Sequence, residues 1–248
     1  MSAIELLNEP ANWGNDMGAV KKFYYDGWGN IRNANGDTAV VMSDAFLDVQ
    51  EYWVSLISIP MSLSFRASTL IYEQNGFMAP GSGVNNVMMD THIYQIFSDG
   101  EVGRKPCEHV QNACGNGAKL SSTDKWVIVG EWTGAQTDCA RWLNGLGRGA
   151  RYDQTFGNEN YHGSCDGKYE GTVAGMSQVD KTNLEYYVEA QLDAYELADG
   201  WVFWTWKTES APEWNLRDLI REGLFPQPLT SRKHPGQCQT TVCQVPGN

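Results

Sequence analysis

Short apolar runs, each ending in a polar or acidic residue, are the dominant pattern of this chain. A run such as Val127-Ile128-Val129 is rich in β-branched residues, which is typical of a strand covered on both faces in a parallel sheet. On this pattern we predict five strands, at residues 3–7, 38–43, 86–91, 126–130 and 201–205.

Between these runs, apolar residues recur at helical spacing. The spacing predicts helices over residues 16–33 and 182–197, with Asp16 as the N-cap of the first, and the polar stretch 101–125 predicts an outer helix and loop. Strands that alternate with helices in this way predict an α/β fold with a parallel sheet.

Two predicted strands are followed by a glutamate. Glu131 comes directly after the 126–130 run, and Glu9 follows the first run and precedes Pro10. A buried carboxylate is costly unless it is paired, so a single strand-end glutamate could equally be a cap or a loop ion pair. Two of them, each at the carboxyl end of a strand, favour the carboxylate pair of a glycoside hydrolase.

The motifs around these glutamates resemble a known family. Asn8-Glu9-Pro10 and Glu131-Trp132 are similar to glycoside hydrolase family 5, a group of retaining (β/α)8-barrel enzymes, and in particular to its fungal exo-β-1,3-glucanases. The same resemblance extends over most of the chain, through Asp90-Thr91-His92, Thr137-Asp138-Cys139-Ala140, Trp142-Leu143-Asn144-Gly145, Gly149-Ala150-Arg151-Tyr152, the segment 201–209 and the segment 223–228.

The resemblance implies a partial (β/α)8 TIM barrel. In the family, the Asn-Glu-Pro segment follows strand four, so residues 1–248 are expected to be an N-terminally truncated catalytic barrel with strands 4 to 8. The five runs agree with this expectation, because a closed barrel of this kind needs eight strands.

Residues 54–74 stand apart from the resemblance. They keep neither a strand nor a helix period, and without them Trp53 would join Asn75 as in similar proteins. Because codons for Val54-Ser55 can contain a splice donor and the codon for Gln74 an acceptor, our hypothesis is a translated, unspliced intron. The alternative is an insertion loop, although long loops without their own structure are uncommon in compact domains.

Site roles follow from the resemblance. Glu131 would be the nucleophile and Glu9 the general acid/base, while Asp44 is expected to make a cap or loop hydrogen bond. Taken alone, a strand histidine or aromatic residue is more often part of a core. The family's substrate-binding positions would be Asn8 at the sugar 2-hydroxyl, His92 at sugar hydroxyls or beside Glu131, Tyr94 beside Glu131, Phe97 as an aromatic flank and Trp204 as the sugar-stacking ring.

The implied activity is the release of glucose from the non-reducing ends of β-1,3-glucan with retention, in cell-wall glucan metabolism. No metal or cofactor is implied, and the complete enzyme is expected to be a monomer. Two alternatives stay open: a truncated, non-catalytic fragment of such an enzyme, and a lectin-like carbohydrate-binding module, which the intact glutamate pair disfavours.

Charge and cysteine content indicate which partners and which cellular compartment suit the chain. A formal charge of −12 argues against a nucleic-acid partner, whose phosphates need basic residues, and no 18-residue apolar span predicts a membrane helix. The six cysteines lack C-x-x-C zinc spacing, and their 15 possible disulfide pairings stay open. An even count in an acidic hydrolase favours secretion or the cell wall.

Overall fold

The computed structural model of the chain describes residues 2–53, 76–240 and 242–246. Five strands form one sheet in the order β1-β2-β3-β4-β5. They are β1 (Ala3–Glu5), β2 (Ala39–Ser43), β3 (Val87–His92), β4 (Trp126–Trp132) and β5 (Gly200–Phe203). Each lies where an apolar run predicts it, but β1 ends at Glu5 rather than at residue 7 and β5 ends at Phe203 rather than at residue 205. Strand β4 continues to Trp132 and therefore includes Glu131, which the sequence pattern placed just after the strand. The segment 54–74, for which we hypothesise an intron, lies outside the described residues.

In the part of the chain that the structure describes, five α-helices accompany the sheet: α1 (Met17–Ala34), α2 (Asp99–Val102), α3 (Pro106–Ser121), α4 (Gln178–Tyr195) and α5 (Leu216–Arg221). The predicted cap of α1 is confirmed, because the Asp16 carboxylate accepts the Gly18 N–H at 2.8 Å. Helix α4 begins at Gln178, four residues before the predicted start, where the Ser177 hydroxyl accepts the N–H of Asp180.

The strands are parallel and neighbour one another in chain order. Ile4 pairs with Val40 in the β1–β2 ladder, and Val41 pairs with Met88 in the β2–β3 ladder. Sequential parallel strands with intervening helices are the connectivity of a (β/α)8 barrel, so the predicted fold class of an incomplete barrel is confirmed. Among the described residues, no helix is long and apolar enough to cross a membrane.

Two compact units make up the chain. The first contains Met1–His92, Ala118–Gly130 and Ala198–Trp201. Its core includes Val40 and Met42 of β2, which are fully buried, and the fully buried Tyr24 of α1, whose phenol donates to the Ser43 carbonyl at 3.1 Å. This hydrogen bond joins α1 to the last residue of β2, whose buried apolar residues form the core of the unit.

The second unit contains Ile93–Gly117, Glu131–Leu197 and Val202–Asn248. Helices α3 and α4 pack together around Val110, Ala113, Tyr187 and Ala190. Three disulfides lie in this unit and resolve the open pairing: Cys107–Cys243, Cys114–Cys238 and Cys139–Cys165. Two of them attach the C-terminal segment to α3.

Candidate active site

Glu9 lies in the first unit, just beyond β1. After the strand, the Leu6 N–H still bonds the Val41 carbonyl at 3.2 Å, and the chain then turns away from the sheet. Glu9 has φ 47°, in the left-handed region that non-glycine residues rarely adopt. Because backbone strain of this kind concentrates at functional sites, the conformation of Glu9 supports a functional role.

His92 at the end of β3 contacts two carboxylates. Its Nδ1 lies 2.5 Å from Oε1 of Glu9, and its Nε2 lies 3.4 Å from Oδ2 of Asp90. The side chains of His92 and Asp90 are 4% and 7% exposed, whereas that of Glu9 is 33% exposed. The imidazole is therefore buried between a buried acid and one that solvent can reach.

The contact of His92 with Glu9 is one that the sequence resemblance does not name, and the expected place of His92 at sugar hydroxyls or beside Glu131 stays a prediction. Asp90 is a residue that the sequence analysis missed as part of the site, although it belongs to the Asp90-Thr91-His92 motif. A signal was present, since residues two apart in a strand share a face, which puts Asp90 and His92 on the same side of β3.

Asp90 also binds the backbone of β4. Its Oδ1 accepts the Gly130 N–H at 2.8 Å. A β-carbon added at Gly130 would overlap the Asp90 carboxylate, so any other residue there would displace that carboxylate. The residue immediately before Glu131 in the chain is thus fixed to β3 by a buried side chain.

Asp44 follows β2 and makes the loop hydrogen bonds expected from the sequence. Its Oδ1 accepts the Phe46 N–H at 2.9 Å, and its Oδ2 accepts the Thr91 hydroxyl at 2.5 Å. Burial raises the pKa of Asp44 to about 6, because a charged carboxylate is poorly solvated there. Asp44 holds the turn after β2 against β3.

Glu131 lies in the second unit, as the second-to-last residue of β4, before Trp132. The Tyr94 phenol donates to Oε2 of Glu131 at 2.7 Å, so the structure brings these two expected site residues together. Two aromatic neighbours hold the ring of Tyr94. Its centroid lies 5.5 Å from that of Phe97, in an edge contact, and 5.7 Å from that of Trp214. Trp214 is a further residue near Tyr94 that sequence reasoning missed.

Three expected sugar contacts are open to solvent. Phe97 and Trp204 are each 48% exposed, and Asn8 is exposed as well. Phe203, the residue before Trp204, is 5% exposed. Its ring packs on Trp132 with the two ring centroids 4.9 Å apart. Alternation in β5 exposes Val202 and buries Phe203, and Trp204, the next residue after the strand, is again exposed, as the sequence pattern predicts.

The chain is similar to fungal glucan 1,3-beta-glucosidases. One from Blumeria graminis is 62% identical over 250 residues, which cover 100% of this chain and 53% of the relative. Glucan 1,3-beta-glucosidase 2 of Wickerhamomyces anomalus is 43% identical over 95% of this chain and 50% of its own length. A probable glucan 1,3-beta-glucosidase A of Emericella nidulans is 42% identical over 96% of this chain and 53% of its own length.

The chain therefore spans about half the length of the curated relatives it matches. Among solved structures, the rutinosidase from Aspergillus niger is similar with a TM-score of 0.49 and 19% identity, over 90% of this chain and 51% of that one. No protein-family profile matches the chain.

Proposed function

We propose that this chain supplies the catalytic carboxylates of a retaining exo-β-1,3-glucanase. Its whole length is homologous to one part of the fungal glucan 1,3-beta-glucosidases. One observation supports the proposal most. Each strand-end glutamate is held by a ring side chain within hydrogen-bond distance, Glu9 by His92 and Glu131 by Tyr94. Preorganised partners of this kind keep reacting groups in productive geometry.

In the first step, a carboxylate oxygen of Glu131 attacks the anomeric carbon of the terminal glucose. The glycosidic C–O bond breaks, and Glu9 gives its proton to the leaving oxygen, so a glycosyl ester forms on Glu131. The Tyr94 phenol donates to Oε2 of Glu131 and orients the carboxylate for this attack.

In the second step, Glu9 acts as a base. It takes a proton from a water molecule, whose oxygen attacks the anomeric carbon and releases Glu131. Two inversions at the same carbon give net retention, so glucose leaves as the β-anomer. His92 contacts Glu9 at 2.5 Å and can hold its carboxyl group in both protonation states.

The proposed substrate is the non-reducing end of a β-1,3-glucan. The exposed Trp204 ring would stack on the terminal glucose, Phe97 would flank the incoming chain, and Asn8 would bind the 2-hydroxyl. Three disulfides fit an oxidising, extracellular setting, where cell-wall glucan lies.

Two isosteric variants test the proposal. Glu131→Gln should abolish release of glucose from laminarin and from aryl glucosides alike, because both substrates need the nucleophile. Glu9→Gln should slow laminarin strongly but spare glucosides with good leaving groups, which need little protonation. Glu222→Gln, on an exposed residue after α5, is the matched control. Absence of glucose release by the wild-type chain would contradict the proposal. So would a Glu9→Gln variant whose rate falls equally on laminarin and on aryl glucosides with good leaving groups.

A further inference from the structure

The buried Asp90 uses its two carboxylate oxygens on two different partners. Oδ1 accepts the Gly130 N–H at 2.8 Å, and Oδ2 lies 3.4 Å from Nε2 of His92. A carboxylate offers only acceptors, so the hydrogen between Asp90 and His92 belongs to the imidazole. A hydrogen bond between His92 and the Asp90 carboxylate can form only with a proton on Nε2.

A proton fixed on Nε2 determines what His92 offers to Glu9. In a neutral ring, Nδ1 is then the acceptor and can receive a hydrogen bond from a protonated Glu9. In a charged ring, Nδ1 is a donor and can bind the Glu9 carboxylate. Since Nδ1 lies 2.5 Å from Oε1 of Glu9, the same ring orientation serves both states.

We propose that Asp90 is a positioning residue for Glu9, acting through His92. The inference rests on the proposed acid/base role of Glu9. Asp90 keeps the imidazole in one orientation and one tautomer, so that Nδ1 faces Glu9 both before and after Glu9 gives up its proton. A misplacement of about 1 Å in a catalytic group can cost a hundredfold in rate, which is the scale on which such support acts.

A purely structural role is the competing explanation. Asp90 also attaches β3 to β4 through Gly130, and loss of that bond alone could disturb the sheet. The two roles differ in their consequences. Damage to the sheet should slow all substrates alike, whereas misplacement of Glu9 should slow only those that need a proton on the leaving group.

Asp90→Asn is the decisive variant, because asparagine keeps the size but has one acceptor oxygen for two donors. Asp199→Asn is the matched control, since Asp199 accepts the Val127 N–H of the same strand at 2.9 Å and is exposed. In Asp90→Asn, hydrolysis of laminarin should fall roughly ten- to hundredfold, whereas an aryl glucoside with a good leaving group should change by less than about threefold.

Nitrogen-15 NMR of histidine gives a second measurement that needs no activity. The chain has four histidines, so His92 can be assigned by comparison with His92→Gln. The wild-type spectrum should show a proton on Nε2 of His92, either in the neutral tautomer or in the imidazolium. The His92 nitrogen signals should change in Asp90→Asn and stay unchanged in Asp199→Asn.

Equal losses on both substrates in Asp90→Asn, or an unchanged His92 spectrum, would overturn the positioning role and leave the proposed function standing. A wild-type chain inactive on both substrates would instead overturn the proposed function. If Asp90→Asn does not fold, the wild-type spectrum decides: a His92 protonated only on Nδ1 contradicts the inference.

Discussion

The phenol of Tyr94 donates a hydrogen bond to Oε2 of Glu131 at 2.7 Å. The bond joins the first residues of the second unit to the end of β4, and contacts with Phe97 and Trp214 hold the donor ring. A carboxylate that must attack along one direction gains from such a fixed donor, because fewer of its orientations are unproductive.

Tyr94→Phe keeps the ring and removes the hydroxyl that makes this bond. A hydrogen bond to a charged group is worth about 1.5 to 3 kcal/mol, so kcat/KM should fall roughly ten- to hundredfold. The loss should be similar for laminarin and for activated aryl glucosides, since both require the Glu131 nucleophile. Steady-state kinetics on the two substrates measures it.

Tyr169→Phe is the matched control for that variant. The Tyr169 phenol also donates to a carboxylate at 2.7 Å, that of Asp153, in a loop of the same unit. Activity should be retained in Tyr169→Phe. Equal effects of the two changes would show that Tyr94 has no special relation to the nucleophile.

Gly130→Ala should reproduce the loss expected on changing Asp90. The added β-carbon would overlap the Asp90 carboxylate and push it away from His92. We expect laminarin hydrolysis to fall at least about tenfold, with a smaller loss on activated glucosides. Gly200→Ala in β5 is the control, because its β-carbon would meet Ile128 at an ordinary 3.6 Å. Full activity of Gly130→Ala on laminarin would contradict the close fit.

Asp44 makes stability depend on pH. Burial raises its pKa to about 6 in the folded chain, so the folded state binds the proton more tightly than the unfolded state does. Its contribution is therefore fully present below about pH 4 and is lost as pH rises through 6. The free energy of unfolding of wild type relative to Asp44→Asn should fall by about 2 kcal/mol between pH 4 and 7. Urea unfolding at both pH values measures the difference, and a constant difference would contradict it.

Much of the fold follows from local patterns in the sequence. The run before Glu131 predicts β4 because its apolar side chains suit a strand buried on both faces, and Asp16 predicts the start of α1 because its carboxylate can cap an N–H. The start of α4 was predicted four residues late. The Ser177 and Asp180 pair was a readable capping signal there, outweighed by the apolar spacing that begins further on.

The site was harder to predict because its contacts join distant residues. Strand patterns place Glu9 and His92 at strand ends, but 83 residues separate them in the chain, and only the paired register of β1, β2 and β3 brings them together. The role of Asp90 depends on Gly130, which looks like an ordinary strand glycine in sequence. The disulfides could not be paired, since spacing alone does not distinguish the 15 possibilities.

The Cys114–Cys238 disulfide should contribute strongly to stability. It joins α3 to the C-terminal segment across a sequence separation of 124, and long loops gain most from such a restriction of the unfolded chain. Replacing both cysteines by alanine should lower the free energy of unfolding by about 2 to 5 kcal/mol in oxidising buffer. Under reducing conditions, the variant and wild type should unfold alike. Equal stability in oxidising buffer would contradict the pairing.

The anomer of the first product tests the proposed Glu131 and Glu9 mechanism most directly. Proton NMR of a laminarin digest, recorded before mutarotation, separates β-glucose from α-glucose. Double displacement at the anomeric carbon predicts β-glucose as the first product, with glucose as the only small sugar released from the chain end. Early α-glucose would mean a single displacement, and it would contradict the assignment of Glu131 as nucleophile.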